Sequence, residues 1–256
     1  MREFAAPLSF VLLALAACET PPELACPDRA DNVTYVDAGG TCLALSTHGA
    51  AQRGQAVSLV VLLDGRDLKT RKAFGAQAKA EAFAGDGVIS IAMAPPGLRL
   101  GAGPRSDVVG SGNAPVPPGA VADIVPDGIQ NLRIHYAAGR VVLVGYGDAA
   151  ATAGVVLGRS PGLVTDAVLV RCPCGVAEAE NDDAMTPISL AKRVPPGTRV
   201  VLVGTDGAGS AALPDIQGYA ERLQDRGVEA RIDPLASTDD TSVDDAVGRA
   251  VADLLR

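Results

Sequence analysis

The residues best placed to do chemistry lie in Gly145-Tyr146-Gly147-Asp148-Ala149, between an apolar run and an alanine-rich one. Residues 140–144, RVVLV, are β-branched and apolar without polar alternation, which predicts a buried strand. The alanine-rich segment after the turn predicts a helix. A strand, a sharp turn and a helix hold the central residue of the turn at a corner, and in the pattern G-x-S-x-G that residue is a nucleophilic serine. Here small residues frame the turn at Gly145 and Ala149, but its centre is Gly147. The frame is present and the nucleophile is not.

The partners of such a nucleophile are also missing. A serine or threonine hydroxyl needs a general base near neutral pH. The chain has two histidines, His48 and His135, and both precede the turn. His48 follows an N-terminal strand and His135 falls in the helix before the turn's own strand, so both are read as structural or surface residues. Asp148 is read as a cap on the following helix, complementing its dipole. As a shifted nucleophile it would put Tyr146 two positions earlier, too bulky for a close strand–helix approach. Asp239, Asp240, Asp244 and Asp245 lack the Gly and Glu of a calcium loop and read as a solvated turn plus helix N-terminal charge. Cys172-Pro173-Cys174 is C-x-C and not a thioredoxin-type C-x-x-C. A bridge within it would close a very small ring, and with no histidine nearby it is not read as a metal site. No metal and no cofactor are expected.

The elements that must position these residues alternate along the chain. Residues 33–37 and 42–47 predict a hairpin through Ala38-Gly39-Gly40. Val57–Leu63 predicts a buried strand ending in the polar loop Asp64-Gly65-Arg66-Asp67, and 71–83 a helix with Phe74, Ala78 and Ala82 on one face. Strands follow at Val88–Met93, at 166–171, at Arg199–Gly204 and at 229–235. Helices are predicted at 120–137, at 213–226 with a stop at Gly227, and after a capping box at Thr241-Ser242-Val243-Asp244. Val243, Val247, Ala250, Val251 and Leu254 make one apolar stripe on the last helix. Residues 95–119, rich in Gly and Pro, form the longest irregular stretch, and loops of that length are often functional. Together these predict an α/β fold, with a mostly parallel sheet, helices on both faces and an N-terminal β-hairpin. Residues 33–256 are expected to form one domain.

The first residues read differently. A short apolar run over 4–17 has the length of a signal-peptide core and is too short to span a bilayer. It ends in Leu15-Ala16-Ala17-Cys18, which resembles a bacterial lipobox, making 1–17 a lipoprotein signal peptide and Cys18 the lipid-bearing residue. Residues 18–32 then serve as a tether. Glu19, in place of an aspartate after the cysteine, favours the outer membrane, so the expected location is the periplasmic side of the cell envelope. Export permits disulfides, and Cys26 with Cys42, close in sequence around the hairpin, is the candidate pair. A net charge of −8 with dispersed acidic residues makes nucleic acid a poor partner.

From Val57 onward the chain resembles the α/β-hydrolase superfamily, in particular small exported bacterial hydrolases. The resemblance is carried by VVLLDG (60–65), MAPPGL (93–98), VLVGYGDAA (142–150), VLVG (201–204) and YAERLQDRGVEARI (219–232). In that family nucleophile, acid and histidine occur in this order. The resemblance therefore implies a degenerate triad: Gly147 at the nucleophile, Asp206 at the acid, and Thr238 or Asp240 where the histidine belongs. Asp64-Gly65 stands about where many relatives carry His-Gly. Glycine at 147 adopts the strained corner freely, so the fold should persist without its chemistry. A pocket at the strand C-termini is expected, lined by Asp64, Gly65, Tyr146, Gly147, Asp148, Cys172, Cys174 and the 95–119 loop, with a small acyl or ester-like ligand. The implied function is a catalytically inactive pseudohydrolase that binds or scaffolds at the cell envelope. Two other readings stay open: an esterase- or lipase-like hydrolase using a non-standard site, and a structural envelope lipoprotein without a ligand.

Overall fold

The computed structural model describes residues 25–50, 57–66, 74–109, 118–175, 185–204, 213–235, 237 and 239–256. Residues 1–24, with the expected signal segment and Cys18, and Asp206 and Thr238 lie outside the described residues.

A short helix α1 (Cys26–Arg29) leads into β1 (Tyr35–Ala38) and β2 (Thr41–His48), the predicted hairpin. Then follow β3 (Val57–Leu63), α2 (Ala76–Phe83), β4 (Val88–Met93), α3 (Pro118–His135), β5 (Ala138–Tyr146), α4 (Asp148–Arg159) and β6 (Asp166–Val170). The chain continues through α5 (Pro187–Leu190), β7 (Arg199–Gly204), α6 (Leu213–Gln224), β8 (Glu229–Pro234) and α7 (Asp240–Leu254). The strands form one eight-stranded sheet in the order β1-β2-β4-β3-β5-β6-β7-β8. β2 runs antiparallel to both its neighbours, and β3 to β8 pair in parallel.

Parallel strands buried on both faces read as continuous apolar runs, and the sheet's alternation sorts them into two cores. Leu59, Val61, Leu63, Val141 and Leu143 face α3, α4 and α6. Val60, Leu62, Val142, Val144 and Tyr146 face α2 and α7. The predicted α7 stripe is buried throughout, from Val243 to Leu254.

Three local expectations are corrected. α2 begins at Ala76, because Gly75 takes the left-handed conformation (φ 70°), which leaves Phe74 outside the helix. Ala76 and Ala80 are its buried residues, while Ala78 and Ala82 share a face with Phe74 as expected, one that is exposed along the helix. The α7 cap is Asp239, whose carboxylate accepts from the Ser242 amide at 2.9 Å, so the helix starts earlier than a box at Thr241 would place it. Asp148 does not cap its own helix: Gly147 holds the N-cap position without a side-chain bond, and Asp148 turns to another loop.

Candidate active-site corner and adjoining cavity

The corner between β5 and α4 has the predicted form. Gly147 lies at φ 57°, ψ −119°, its amide donating to the Val170 carbonyl at 2.9 Å. Backbone at this positive φ is strained for any residue with a side chain. Space forbids one as well, since a Cβ on Gly147 would sit 2.5 Å from the Arg66 carbonyl oxygen and 2.9 Å from the Phe74 ring. The segment 64–66 that follows β3 therefore lies against the corner. It can come this close because Gly65 lacks a Cβ, which would lie 2.1 Å from the Tyr146 carbonyl oxygen.

The polar groups of the corner are bonded to one another. The Arg66 amide donates to Asp148 Oδ1 at 2.7 Å, and the Asp148 amide to the Arg66 carbonyl at 3.4 Å. In a G-x-S-x-G corner, the amide after the nucleophile and an amide of the β3–α2 loop form the hole for an oxyanion. Here both kinds of donor are committed to the chain's own oxygens. Asp64, buried at the end of β3, accepts from the Ala76 amide at 3.3 Å. Burial pushes its carboxyl up, the Ala76 amide opposes that, and nearby Asp148 adds to the rise.

Cys172 and Cys174 are both buried and joined to each other, and Cys26 is bridged to Cys42 as expected. Arg171, at φ 50°, places its guanidinium 5.9 Å from the Phe74 ring centre. Phe74 stacks on Tyr146 at 5.5 Å, and the Lys79 ammonium lies 5.7 Å from the Tyr146 ring centre. Two aromatic rings are thus held between two cations.

Neither histidine reaches the corner. His48 pairs with Ser90, whose row continues through Val60 to Val142. From Val142 to Gly147 is about 16 Å of strand. His48 bonds Ser46 Oγ at 3.0 Å, and His135, at the end of α3, lies 3.4 Å from Asn32 Nδ2. Asp240, the described alternative for the histidine place, is exposed in the first turn of α7.

Tyr146 departs from its expected place among the pocket residues. Strand alternation sends its side chain to the α2–α7 face, where it borders a cavity of about 610 Å³. The cavity is walled by Ala78, Ala82 and Phe83 of α2 and Val251, Ala252 and Leu255 around the end of α7. Sequence reasoning missed this space. The signal was available, because Val142, Val144 and Tyr146 share a strand face.

No protein-family profile matches the chain, nor does any curated protein. Solved structures do. Esterase 2 of Thermogutta terrifontis matches with a TM-score of 0.62 at 14% identity, over 91% of this chain and 97% of the esterase. A serine hydrolase homologue from Coxiella burnetii matches at 0.58 and 12% identity, over 87% and 96%. The thioesterase domain from the curacin biosynthetic pathway matches at 0.57 and 12%, over 86% and 97%. The fold is that of the α/β-hydrolases. Identities this low establish the α/β-hydrolase fold alone and leave activity to the residues of the site. On that fold the nucleophile stands at the corner after β5, the place that Gly147 holds here.

Proposed function

We propose that this chain is a pseudohydrolase, an α/β-hydrolase-fold protein without hydrolytic chemistry that acts by binding at the cell envelope. The observation that carries the reading is the closed corner. Gly147 offers no nucleophile, and the Arg66 carbonyl and Phe74 ring stand where a side chain would project. The pairing of Arg66 with Asp148 supports it further, since a substrate oxygen would find both amide donors engaged. Anchoring through a lipid on Cys18, after removal of 1–17, belongs to the same proposal and rests on the lipobox resemblance.

The test is ester turnover by the Cys18→Ser protein over short and medium acyl chains, with fluorophosphonate labelling read by intact mass on the same sample. No turnover above a heat-killed control and no adduct are expected. Gly147→Ser is expected to restore neither. It should destabilise the fold by about 1–3 kcal/mol from backbone strain, before any cost of displacing Arg66 and Phe74. Turnover by the unmutated corner would overturn the proposal in favour of an esterase working through other groups, and the labelled residue would locate them.

A further inference from the structure

The cavity between α2 and α7 stands apart from the corner, with Phe74 as the partition. The same ring that lies 2.9 Å from a Cβ at Gly147 also lines the cavity. At about 610 Å³ it falls within the range of small-molecule sites. It exists because facing positions on the two helices are small: Gly75, Ala78 and Ala82 on one side, Gly248 and Ala252 on the other. A Cβ at Gly75 or at Gly248 would meet nothing within 4 Å.

Two polar features define what could fill it. Lys79 of α2 and Asp244 of α7 are ion-paired at its wall, so each charge is already answered by the other. At the sheet side lies Tyr146, wholly buried, whose hydroxyl has no hydrogen-bond partner among the described residues. Buried hydroxyls are almost always bonded, and an exception calls for an explanation. Burial pushes the Tyr146 hydroxyl far up, with Asp244 adding to it, so the group stays protonated and able to donate. We propose that this cavity binds a small, uncharged, largely apolar molecule carrying one acceptor oxygen, which accepts from the Tyr146 hydroxyl while the apolar body lies between Ala78, Ala82, Val251 and Ala252. The site stands whether or not the corner hydrolyses esters.

The probes are 2-acetylnaphthalene and 2-ethylnaphthalene, near-equal in shape and differing in the acceptor oxygen, with 2-naphthoate as the charged comparison. Calorimetric titration of the purified protein should show the ketone binding at least tenfold tighter than the hydrocarbon and tighter than the carboxylate. Tyr146→Phe should remove the preference for the ketone and leave hydrocarbon binding unchanged. Gly248→Leu, which projects into open space within α7 and replaces a poor helix former, should abolish binding of both while the urea midpoint holds or rises. No saturable binding, equal affinity for ketone and hydrocarbon, tighter binding of 2-naphthoate, or indifference to Gly248→Leu each overturns the proposal. A concentration-dependent dimer that Gly248→Leu dissociates would give the cavity to a second copy and overturn it too. Ester turnover is not part of the readout, so this site can fail while the pseudohydrolase stands, and the reverse.

Discussion

At the scale of single residues, the polar groups of the corner are bonded to one another. Asp64 shows this through its titration. Burial raises its carboxyl above the ordinary 3.8, with Asp148 reinforcing and the Ala76 amide opposing. Below the unfolded value both states hold the proton, and Asp64 costs the fold nothing. As pH rises, the unfolded chain ionises first and the folded carboxyl resists, so stability is lost up to and through the raised folded value. Asp64→Asn keeps an acceptor for the Ala76 amide and removes that loss. The melting temperature of Asp64→Asn relative to the unmutated protein should therefore climb between pH 3 and pH 7, and a flat difference would contradict the assignment. Gly147 was legible at this scale from its place between Gly145 and Ala149. The Arg66–Asp148 pairing was not, because it joins the Asp148 carboxylate to a backbone amide 82 positions away, which no residue pattern reports.

At the scale of elements, apolar runs marked β3, β4 and β7 to the residue, since buried parallel strands read as near-continuous apolar runs, broken only by Ser58 in β3 and Ser90 in β4 and opened by Arg199 in β7. Element starts were less legible. A helix read from 71 by alanine and lysine content begins at Ala76 because Gly75 is left-handed. The N-terminal edge is held by a covalent staple and its surroundings. The Cys42 amide donates to Asp107 Oδ2 at 2.8 Å, the Asp107 amide returns a bond to the Cys42 carbonyl, and Arg29 of α1 pairs with Asp107 at 2.6 Å. The Cys26–Cys42 bridge closes a span of 16 residues, for which chain-entropy arguments give about 3 kcal/mol. The double substitution Cys26→Ser and Cys42→Ser should lower unfolding free energy in urea by about that amount. An unchanged midpoint would mean that the hairpin is held by its packing and the Asp107 bonds alone.

At the scale of the whole molecule, one buried carboxylate ties the sheet to its last helix. Asp166, at the start of β6, lies 2.5 Å from Arg199 Nε of β7 and 3.7 Å from Arg140 Nε of β5, and accepts from the Thr165 hydroxyl at 2.8 Å. Arg140 and Arg199 in turn both donate to the Leu254 carbonyl at the end of α7. Three strands and the helix that walls the Tyr146 cavity thus meet at one charge, at the strand ends opposite the corner. Removing the carboxylate leaves two arginines facing each other, and breaking a buried pair costs about 3–5 kcal/mol. Both arginines keep partial access to water, so Asp166→Ala should fall near the lower end, measured by urea unfolding. A cost well under 1 kcal/mol would mark the network as a solvated surface pair.

The sequence by itself determined the α/β class, the strand–turn–helix corner with glycine at its centre, the absence of a histidine after it and the apolar stripe of α7. These are local properties, set by the period of apolar residues and by single residue types. Only the tertiary structure decided that the Arg66 carbonyl and the Phe74 ring close over Gly147. It also decided that both histidines lie toward the far edge of the sheet, and that Tyr146 turns from the strand ends to an apolar cavity. Those outcomes depend on strand register, on the face each side chain takes, and on how small residues on two helices far apart in sequence come to face one another. A linear pattern holds the ingredients of such a meeting, but packing fixes the distances.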